Sequence, residues 1–526
     1  MRFSILLLVP ASCVAVRVSS FAGSTSTAVF PPPGAGTASP NDPDFPDASQ
    51  VGHAGATPTG DEANVIATAR TAPKVKTYGP LVKPRPLNKG NGPFNVLEHL
   101  GNLSPFRSVD SFGLPNSDEM IPDGCKLNQV HLLHRHGARY PNAQDAGSPA
   151  GFASTLHAAA SNGKLKASKP LGFLQDWTFK LGEDGLTPFG RQEMLDLGVA
   201  FRVKYGELLK GFKKLPVFRT TSQARMVDSA LHFAVGFFGV QNYLQDYHQL
   251  IMIEASGFNN TLASSGVCPN ANNAIGNFGR VQNAKWANVY LQPALQRMTC
   301  AYETVALGYS SFCKIFNEKE WEGFAYWNDL LFWYSFGPGN PSVAAQGVGY
   351  VQELLSRLTR TPISSFNSST NSTLANDITF PLDQPMYVDA THDSVMTAIF
   401  TTMNFTSFSG NGPLPVDQIP KGQTYFVQQL APFGSNLVGQ VLSCNTKSDE
   451  STHIRWILND AVVPLTGIQG CRANKDGLCP LPAFISGLQQ RLAEIDYEFD
   501  CFANYTMPDP DLITDGRFPP ALRKNV

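Results

Sequence analysis

A histidine flanked by two arginines offers the clearest chemistry in this chain. Arg135, His136 and Arg139 lie within five positions, at the end of the largely apolar run at residues 130–133. Burying two guanidinium groups close together is energetically costly unless an anion lies between them and offsets their charge. Guanidinium groups bind phosphate oxygens in pairs, and an imidazole nitrogen can attack phosphorus. The spacing therefore predicts a nucleophilic site that binds phosphate; the alternative interpretation is a solvated basic loop.

The backbone is expected to turn at this motif. Side chains of a strand alternate between its two faces, so Arg135 and His136 could not both face one pocket if the strand continued. Gly137 can supply the unusual backbone angles that such a turn requires.

Three apolar runs predict the strands that position these groups: residues 129–134, 215–218 and 386–388. The first leads into Arg135 and His136, the second into Arg219, and the third is soon followed by His392 and Asp393. Polar side chains beyond the carboxyl ends of buried strands are typical of an open α/β sheet whose site lies at that edge. Between the strands, Thr187 and Pro188 predict the start of a helix as N-cap and first residue.

The motif from Arg135 to Pro141 resembles the signature of the histidine acid phosphatases, and residues 95–506 resemble their fungal phytase branch. The stretches that carry the resemblance occur in the family's order and spacing: residues 186–190, 219–229, 254–262, 337–350 and 391–393. The resemblance implies an α/β fold of the phosphoglycerate-mutase type, with an open mixed sheet flanked by helices. It also implies a second, smaller helix-rich lobe, which we place at residues 142–215 and 265–380 because little strand signal occurs there.

The resemblance also implies a role for each site residue. His136 is expected to be the nucleophile that forms a phosphohistidine, and Asp393 the proton donor and then the base. Four side chains are expected to bind the phosphate: Arg135, Arg139, Arg219 and His392. No metal and no cofactor is expected. Arg225 and Ser229 also match the family spacing, and we interpret them as structural support on the following helix.

Length and charge restrict the remaining possibilities. The chain has 526 residues, 42% of them hydrophobic, which is enough for a large core. Its net charge of −2 argues against nucleic acid as the main partner. We expect a monomer that acts on a small phosphomonoester.

The N-terminal region predicts an extracellular protein. Residues 1–20 have the pattern of a secretory signal peptide, and no other segment suits a membrane span. Residues 21–85 are rich in Ala, Gly, Pro, Ser and Thr, which predicts a disordered extension. The catalytic domain is then expected at residues 86–526.

Cysteines and sequons support the same compartment. Eight cysteines follow the signal peptide, an even number that predicts four disulfides, although spacing leaves the pairing open. The resemblance implies the pairs Cys125–Cys444, Cys268–Cys501, Cys300–Cys313 and Cys471–Cys479. Candidate glycosylation sites are Asn102, Asn259, Asn367, Asn371, Asn404 and Asn504.

Two other classes of protein compete with this interpretation. A metal-dependent secreted hydrolase could use His131, His134 and His136, completed by His392 and Asp393. Against it, His131 should point to the opposite sheet face from the other two, and the arginines would repel a divalent cation. A binding protein on an inactive phosphatase scaffold is the other class, but His136 and Asp393 are both present.

The substrate is less well specified than the reaction. The resemblance indicates a phytase, which hydrolyses myo-inositol hexakisphosphate; the alternative is a broad-specificity acid phosphatase. Relatives that prefer phytate carry lysines at two places where this chain has residues 142–147 and Leu331-Phe332. Fewer cations predict weaker capture of a ligand with many phosphates. Lys164, Lys166 and Lys169 are possible substitutes.

Overall fold

The structure is a computed structural model that describes residue 75 and residues 94–142, 149–168, 171–175, 177, 181–290, 294–445 and 450–525. The predicted signal peptide and, apart from Val75, the predicted extension lie outside the described residues. Val75 contacts the folded body: its N–H donates to Ser108 Oγ over 2.7 Å, and its carbonyl accepts from the Ser108 N–H over 3.1 Å. At this residue the predicted extension is attached to the domain.

One mixed sheet forms the centre of the fold. Its strands are β1 Cys125–Arg135, β2 Val217–Thr221, β3 His248–Met252, β4 Met386–Thr391, β5 Asn436–Asn445, β6 Glu450–Leu458, β7 Ala461–Val463 and β8 Cys479–Pro480. The spatial order is β3-β2-β4-β1-β5-β6-β7, with β8 beside β6. Strands β3, β2, β4 and β1 are parallel, and the pairs from β1–β5 onward are antiparallel. The carboxyl ends of β1, β2 and β4 therefore meet at one edge, as predicted.

Helices surround this sheet. The α-helices are α1 Pro149–Ser161, α2 Pro188–Tyr205, α3 Ala224–Phe238, α4 Phe278–Tyr290, α5 Ala294–Leu307, α6 Glu318–Phe336, α7 Val343–Gln346, α8 Val348–Thr359, α9 Asp393–Thr402, α10 Val427–Leu430, α11 Leu481–Glu494 and α12 Tyr497–Phe502. Helix α2 begins as predicted: Thr187 is the N-cap, its side chain accepts from the Gly190 N–H, and Pro188 occupies the first turn.

Both faces of the sheet are buried at its central strands. Alternating residues of β1 contribute to different cores: Leu132 packs with Phe201 of α2 and Phe233 of α3, whereas Leu133 belongs to the core that contains Met396 of α9. Helices on both faces explain why β1, β2 and β4 are nearly continuously buried. The predicted fold class, an open mixed α/β sheet flanked by helices, is confirmed.

Both ranges that we predicted to be helix-rich contain helices. Part of the first range, residues 142–215, packs on the sheet and not in a second lobe. Helix α2 packs beside α3 on the sheet and contributes Phe201 and Tyr205 to its core. Helices α5 and α6 instead share a separate core with the residues around Val96 and Leu97. Residues 188–205 therefore belong to the layer that covers the sheet.

The described residues contain four disulfides, Cys125–Cys444, Cys268–Cys501, Cys300–Cys313 and Cys471–Cys479, which is the pairing that the resemblance implies. The first joins β1 to its antiparallel neighbour β5 at a directly paired position. No helix in the described part of the chain is long and apolar enough to cross a membrane.

Candidate active site

The loop after β1 is held by close contact with the first turn of α2. A Cβ on Gly137 would lie 2.1 Å from the carbonyl oxygen of Gly190, and a Cβ on Gly190 would lie 1.9 Å from that of Ala138. Gly137 does not have a positive φ, so the chain requires glycine here for close approach and not for the unusual angles that we predicted. The Thr187 N–H also donates to the Ala138 carbonyl over 2.9 Å.

His136 is buried with one ring nitrogen already engaged. Its Nδ1 donates to the Gly137 carbonyl over 2.8 Å, which leaves the lone pair on Nε2. Burial lowers the pKa of His136 well below its ordinary value, and the charges of Arg135, Arg225 and Arg139 lower it further. The imidazole is therefore neutral, and nucleophilic, even in acid.

Arg135 connects the nucleophile to Asp393. It is fully buried at the end of β1, and its Nη2 lies 2.8 Å from Asp393 Oδ2. Its Nη1 donates to the carbonyls of Asn102 and Ala431, and the guanidinium lies 4.4 Å from the ring centroid of Phe433. Three different segments thus fix this cation.

Arg139 and Arg225 add two further cations. The Arg139 guanidinium donates to the Tyr140 carbonyl over 2.9 Å. Arg225, in the first turn of α3, has Asp184 as an ion-pair partner at 3.9 Å. Burial, followed by the charge of Arg139, lowers the pKa of Arg225 to about 10. Cations that destabilise each other in this way form a site for an anion.

His392 and Asp393 lie at the start of α9, where His392 is the N-cap. Asp393 Oδ1 accepts from the Ser394 N–H over 2.8 Å, and Oδ2 accepts from Asn102 Nδ2 over 2.8 Å. Burial alone would raise the pKa of Asp393, but the charge of Arg135, the hydrogen bond from Asn102 and the charge of Arg139 outweigh it. The net result is a pKa below the usual range, so Asp393 is ionised in the free protein.

Glu254 orients His392, a role that our sequence analysis missed. Its Oε2 lies 3.0 Å from His392 Nε2 and accepts from Thr221 Oγ1 over 2.6 Å. Glu254 comes two residues after β3, which is parallel to β2. The reasoning that located the other groups at strand ends would have found it too.

Glu193 of α2 is a second missed residue. Its two carboxylate oxygens accept from the backbone N–H groups of Ala138 and Phe106, over 2.7 and 3.0 Å. It therefore joins the loop after β1 to the segment that carries Asn102. Burial raises the pKa of Glu193 to about 7.

The structure does not bring Arg219 to this group, contrary to the sequence prediction. Strand β2 continues to Thr221, so Arg219 is a mid-strand residue that is 3% exposed. Its guanidinium donates to Asp389 over 2.6 Å and to Glu353 over 2.8 Å. The residue that reaches the site from this region is Arg225, which we had interpreted as structural support. Ser229 does act as support, because its Oγ accepts from the Gly137 N–H over 3.3 Å.

The histidines of the competing metal hypothesis have different surroundings. His131 stacks on Tyr387, and His134 stacks on Phe233. The ring of His136 lies 5.8 Å from that of His392, measured between centroids. Among the described residues, no group of three or more His, Cys, Asp or Glu side chains is arranged to hold a metal ion.

The six sequons differ in exposure. Asn367 and Asn504 are exposed. The amide groups of Asn259, Asn371 and Asn404 donate to backbone carbonyls. Asn102 donates to Asp393. Surface glycans are therefore most readily accommodated at Asn367 and Asn504.

Comparison with known proteins agrees with this geometry. The family model described as histidine phosphatase superfamily (branch 2) matches residues 126–299 and 298–459. Phytase A of Emericella nidulans is 32% identical over 455 residues, which cover 79% of this chain and 94% of that protein. Phytase A of Aspergillus fumigatus is 32% identical over 421 residues, or 74% of this chain and 87% of that protein. The crystal structure of the phytase from D. castellii covers 79% of this chain and 89% of its own, with a TM-score of 0.61 at 24% identity, and shows a similar fold.

The chain belongs to branch 2 of the histidine phosphatase superfamily. Family membership, together with a buried nucleophilic histidine among arginines, identifies it as a phosphoric monoester hydrolase.

Proposed function

We propose that the protein is a secreted phytase that removes phosphate from myo-inositol hexakisphosphate through a phosphohistidine intermediate. The observation that carries this proposal is the neutral, buried His136 beside three arginines and 5.8 Å, between ring centroids, from His392. Fungal relatives named phytase A support the substrate. The four disulfides support an extracellular location, and we propose that the protein acts as a monomer.

In the first step, Nε2 of His136 attacks phosphorus while the bond from phosphorus to the ester oxygen breaks. Arg135, Arg139, Arg225 and His392 offset the charge on the phosphoryl oxygens. The departing alkoxide is too basic to leave unaided, so it takes a proton from Asp393. The products of this step are an alcohol and phosphohistidine.

In the second step, water attacks the phosphohistidine. Asp393 is now ionised and accepts the proton of the water, the bond between nitrogen and phosphorus breaks, and inorganic phosphate leaves. The step regenerates neutral His136, and the proton on Asp393 passes to the departing phosphate, so Asp393 is ionised again in the free protein. One carboxyl group thus serves as acid and base in turn.

Asp393 must obtain the proton that it donates in the first step, and its pKa indicates the source. Because the arginine charges lower this pKa, Asp393 must gain a proton as the substrate binds. A phosphate ester below its second pKa, about 6, still carries one proton. Its negative charge beside Asp393 also raises the proton affinity of the carboxyl. The bound complex must keep this proton, on the ester or on Asp393, so we expect an acidic optimum with loss of activity as the pH rises above about 6.

The structure removes one reason for doubting phytate. Phe332, which occupies a position where phytate-preferring relatives have lysine, is 2% exposed and packs edge-on against Phe336 at 5.2 Å. It belongs to the main hydrophobic core, so a lysine there would destabilise the fold and would not be available to bind substrate. Residues 143–148 and Lys169 lie outside the described residues, while Lys164 and Lys166 are exposed.

The proposal predicts hydrolysis of phytate without an added metal. Purified protein should release phosphate from phytate and from p-nitrophenyl phosphate in acid, with a higher kcat/KM for phytate. Exhaustive chelation should leave both rates unchanged. A higher kcat/KM for simple esters would indicate a broad-specificity acid phosphatase, and activity restored only by zinc would contradict the histidine mechanism.

Arg225 and Arg219 should respond differently to substitution. Arg225→Met should raise the KM for phosphate esters and the inhibition constant of inorganic phosphate by about tenfold to a hundredfold, because a charged hydrogen bond to phosphate disappears. Arg219→Met should instead lower the free energy of unfolding by about 3 to 5 kcal/mol, because Glu353 loses its buried partner. Denaturant unfolding and inhibition by phosphate distinguish the two variants. A raised KM in Arg219→Met but not in Arg225→Met would show that Arg219, and not Arg225, binds the phosphate.

A further inference from the structure

We propose that Asn102 is a positioning residue for the proton donor Asp393, and that its sequon carries no glycan in the active enzyme. The sequence alone suggested Asn102 only as a glycosylation site. The inference deepens the proposed function and rests on the role given there to Asp393.

Asn102 contacts both members of the central ion pair. Its Nδ2 donates to Asp393 Oδ2 over 2.8 Å, and its backbone carbonyl accepts from Arg135 Nη1. The same Asp393 oxygen lies 2.8 Å from Arg135 Nη2. These contacts join a segment far away in sequence to the start of α9 and fix the orientation of the carboxylate.

The turn that carries Asn102 is rigidly held. Gly101 has a φ of +61°, and a Cβ there would lie 2.4 Å from Cβ of Asn328 on α6. The neighbouring Leu100 and Leu103 are buried. The Ser104 carbonyl also accepts from the Phe433 N–H over 2.9 Å. An amide on such a turn is preorganised and does not have to be ordered when substrate binds.

The direction of this hydrogen bond gives it a chemical consequence. An Asn Nδ2 is purely a donor, so it stabilises the ionised carboxylate more than the protonated acid. Asn102 therefore favours the form of Asp393 that acts as base in the second step, and limits the pH range in which Asp393 acts as acid.

Other charges also act on Asp393. Arg135 at the end of β1 and Arg139 in the next loop favour its ionised form, and Arg225 on α3 interacts with it. His392 precedes it on the same helix, and His136 follows Arg135. None of these side chains changes when Asn102 is substituted, so the contribution of the amide can be measured separately.

A glycan on Asn102 is incompatible with this arrangement. It would replace one hydrogen of the Nδ2 that donates to Asp393, and the first sugar would start beside the ion pair of Asp393 and Arg135. The sugar would then compete with the phosphate ester for the same space. An active molecule should therefore have an unmodified Asn102.

The test is the pH dependence of kcat for an alkyl phosphate. In Asn102→Ala the carboxylate loses a donor, so the pKa of Asp393 rises and the alkaline limb of kcat should move to higher pH by about half a unit to one unit. In Asn102→Asp a like charge lies beside Asp393, so the limb should move further, by more than about one unit. The second variant preserves side-chain size and keeps the test decisive if alanine loosens the turn.

Two variants separate the amide from the sequon. Ser104→Ala abolishes the Asn-Leu-Ser sequon but leaves Asn102 in place, and Asn504→Gln removes an exposed sequon. Both should keep the wild-type limb, and peptide mapping should find residue 102 unmodified in active enzyme. An unshifted limb in both Asn102 variants, the same shift in Ser104→Ala, or a fully glycosylated and active Asn102 would overturn the inference.

The outcomes also separate this inference from the proposed function. If the wild-type protein hydrolyses no phosphate ester, the proposed function fails. If the wild-type protein is active and depends on His136, but both Asn102 variants keep its pH profile, only the role of Asn102 fails.

Discussion

Replacing His136 by alanine is expected to lower the turnover of every phosphate ester by about 10⁴-fold or more. The covalent route disappears with the imidazole, and in an enzyme that uses a nucleophile the loss of that group removes most of the rate enhancement. The fold should survive because the substitution only shortens one side chain, while the backbone hydrogen bond from Thr187 to Ala138 that holds this loop remains. Steady-state kinetics with phytate and with p-nitrophenyl phosphate, together with circular dichroism, measure both effects.

His248→Ala is the matched control for this variant. His248 is exposed at the start of β3, so its removal should leave turnover unchanged. Turnover in His136→Ala within tenfold of wild type would mean that another group, or water itself, attacks phosphorus.

Replacing Asp393 by asparagine should affect substrates according to their leaving groups. Alkyl phosphates and phytate release a basic alkoxide, so loss of the general acid should slow their cleavage by about a hundredfold to ten-thousandfold. p-Nitrophenolate needs little protonation, so the first step with p-nitrophenyl phosphate should slow far less. Pre-steady-state release of the alcohol, compared between the two substrates, isolates this step.

Asp246→Asn is the control for this charge change. Asp246 is an exposed aspartate that is distant from Asp393 in sequence. It should behave as wild type on both substrates. Equal losses on both substrates in Asp393→Asn would remove Asp393 from the role of proton donor.

Much of the site could be predicted because it depends on local pattern. The apolar runs before Arg135 and His392 predicted buried strands, and the polar residues after them predicted the edge where the groups meet. Thr187 and Pro188 predicted the start of α2. These features follow from strand alternation and helix capping, which short stretches of sequence express directly.

The placement of Arg219 was wrong because the end of β2 was set too early. Arg219 looked like the first residue beyond the strand, yet it pairs in register with Asp389 of β4, and the strand continues to Thr221. A buried arginine that finds buried carboxylates can remain inside a strand. Element boundaries are the least certain part of a sequence prediction. The predicted end at residue 218 was three residues too early, and this error moved the third cation from Arg225 to Arg219.

Contacts between segments that are distant in sequence could not be predicted from the sequence alone. Asn102 reaches Asp393, and Glu193 reaches Ala138, across long stretches of chain with no local signal. The sequon at Asn102 even indicated a different role. Only the fold shows that an amide on a buried turn lies beside the proton donor.

The most direct test of the central claim is to trap the intermediate in Asp393→Asn. With p-nitrophenyl phosphate, the first step should proceed while the second lacks its base, so the phosphoenzyme should accumulate. Rapid mixing, an alkaline quench that preserves phosphohistidine, and peptide mass spectrometry should locate the phosphoryl group on His136. A phosphoryl group on another residue, or p-nitrophenol release without any phosphoenzyme, would contradict the account.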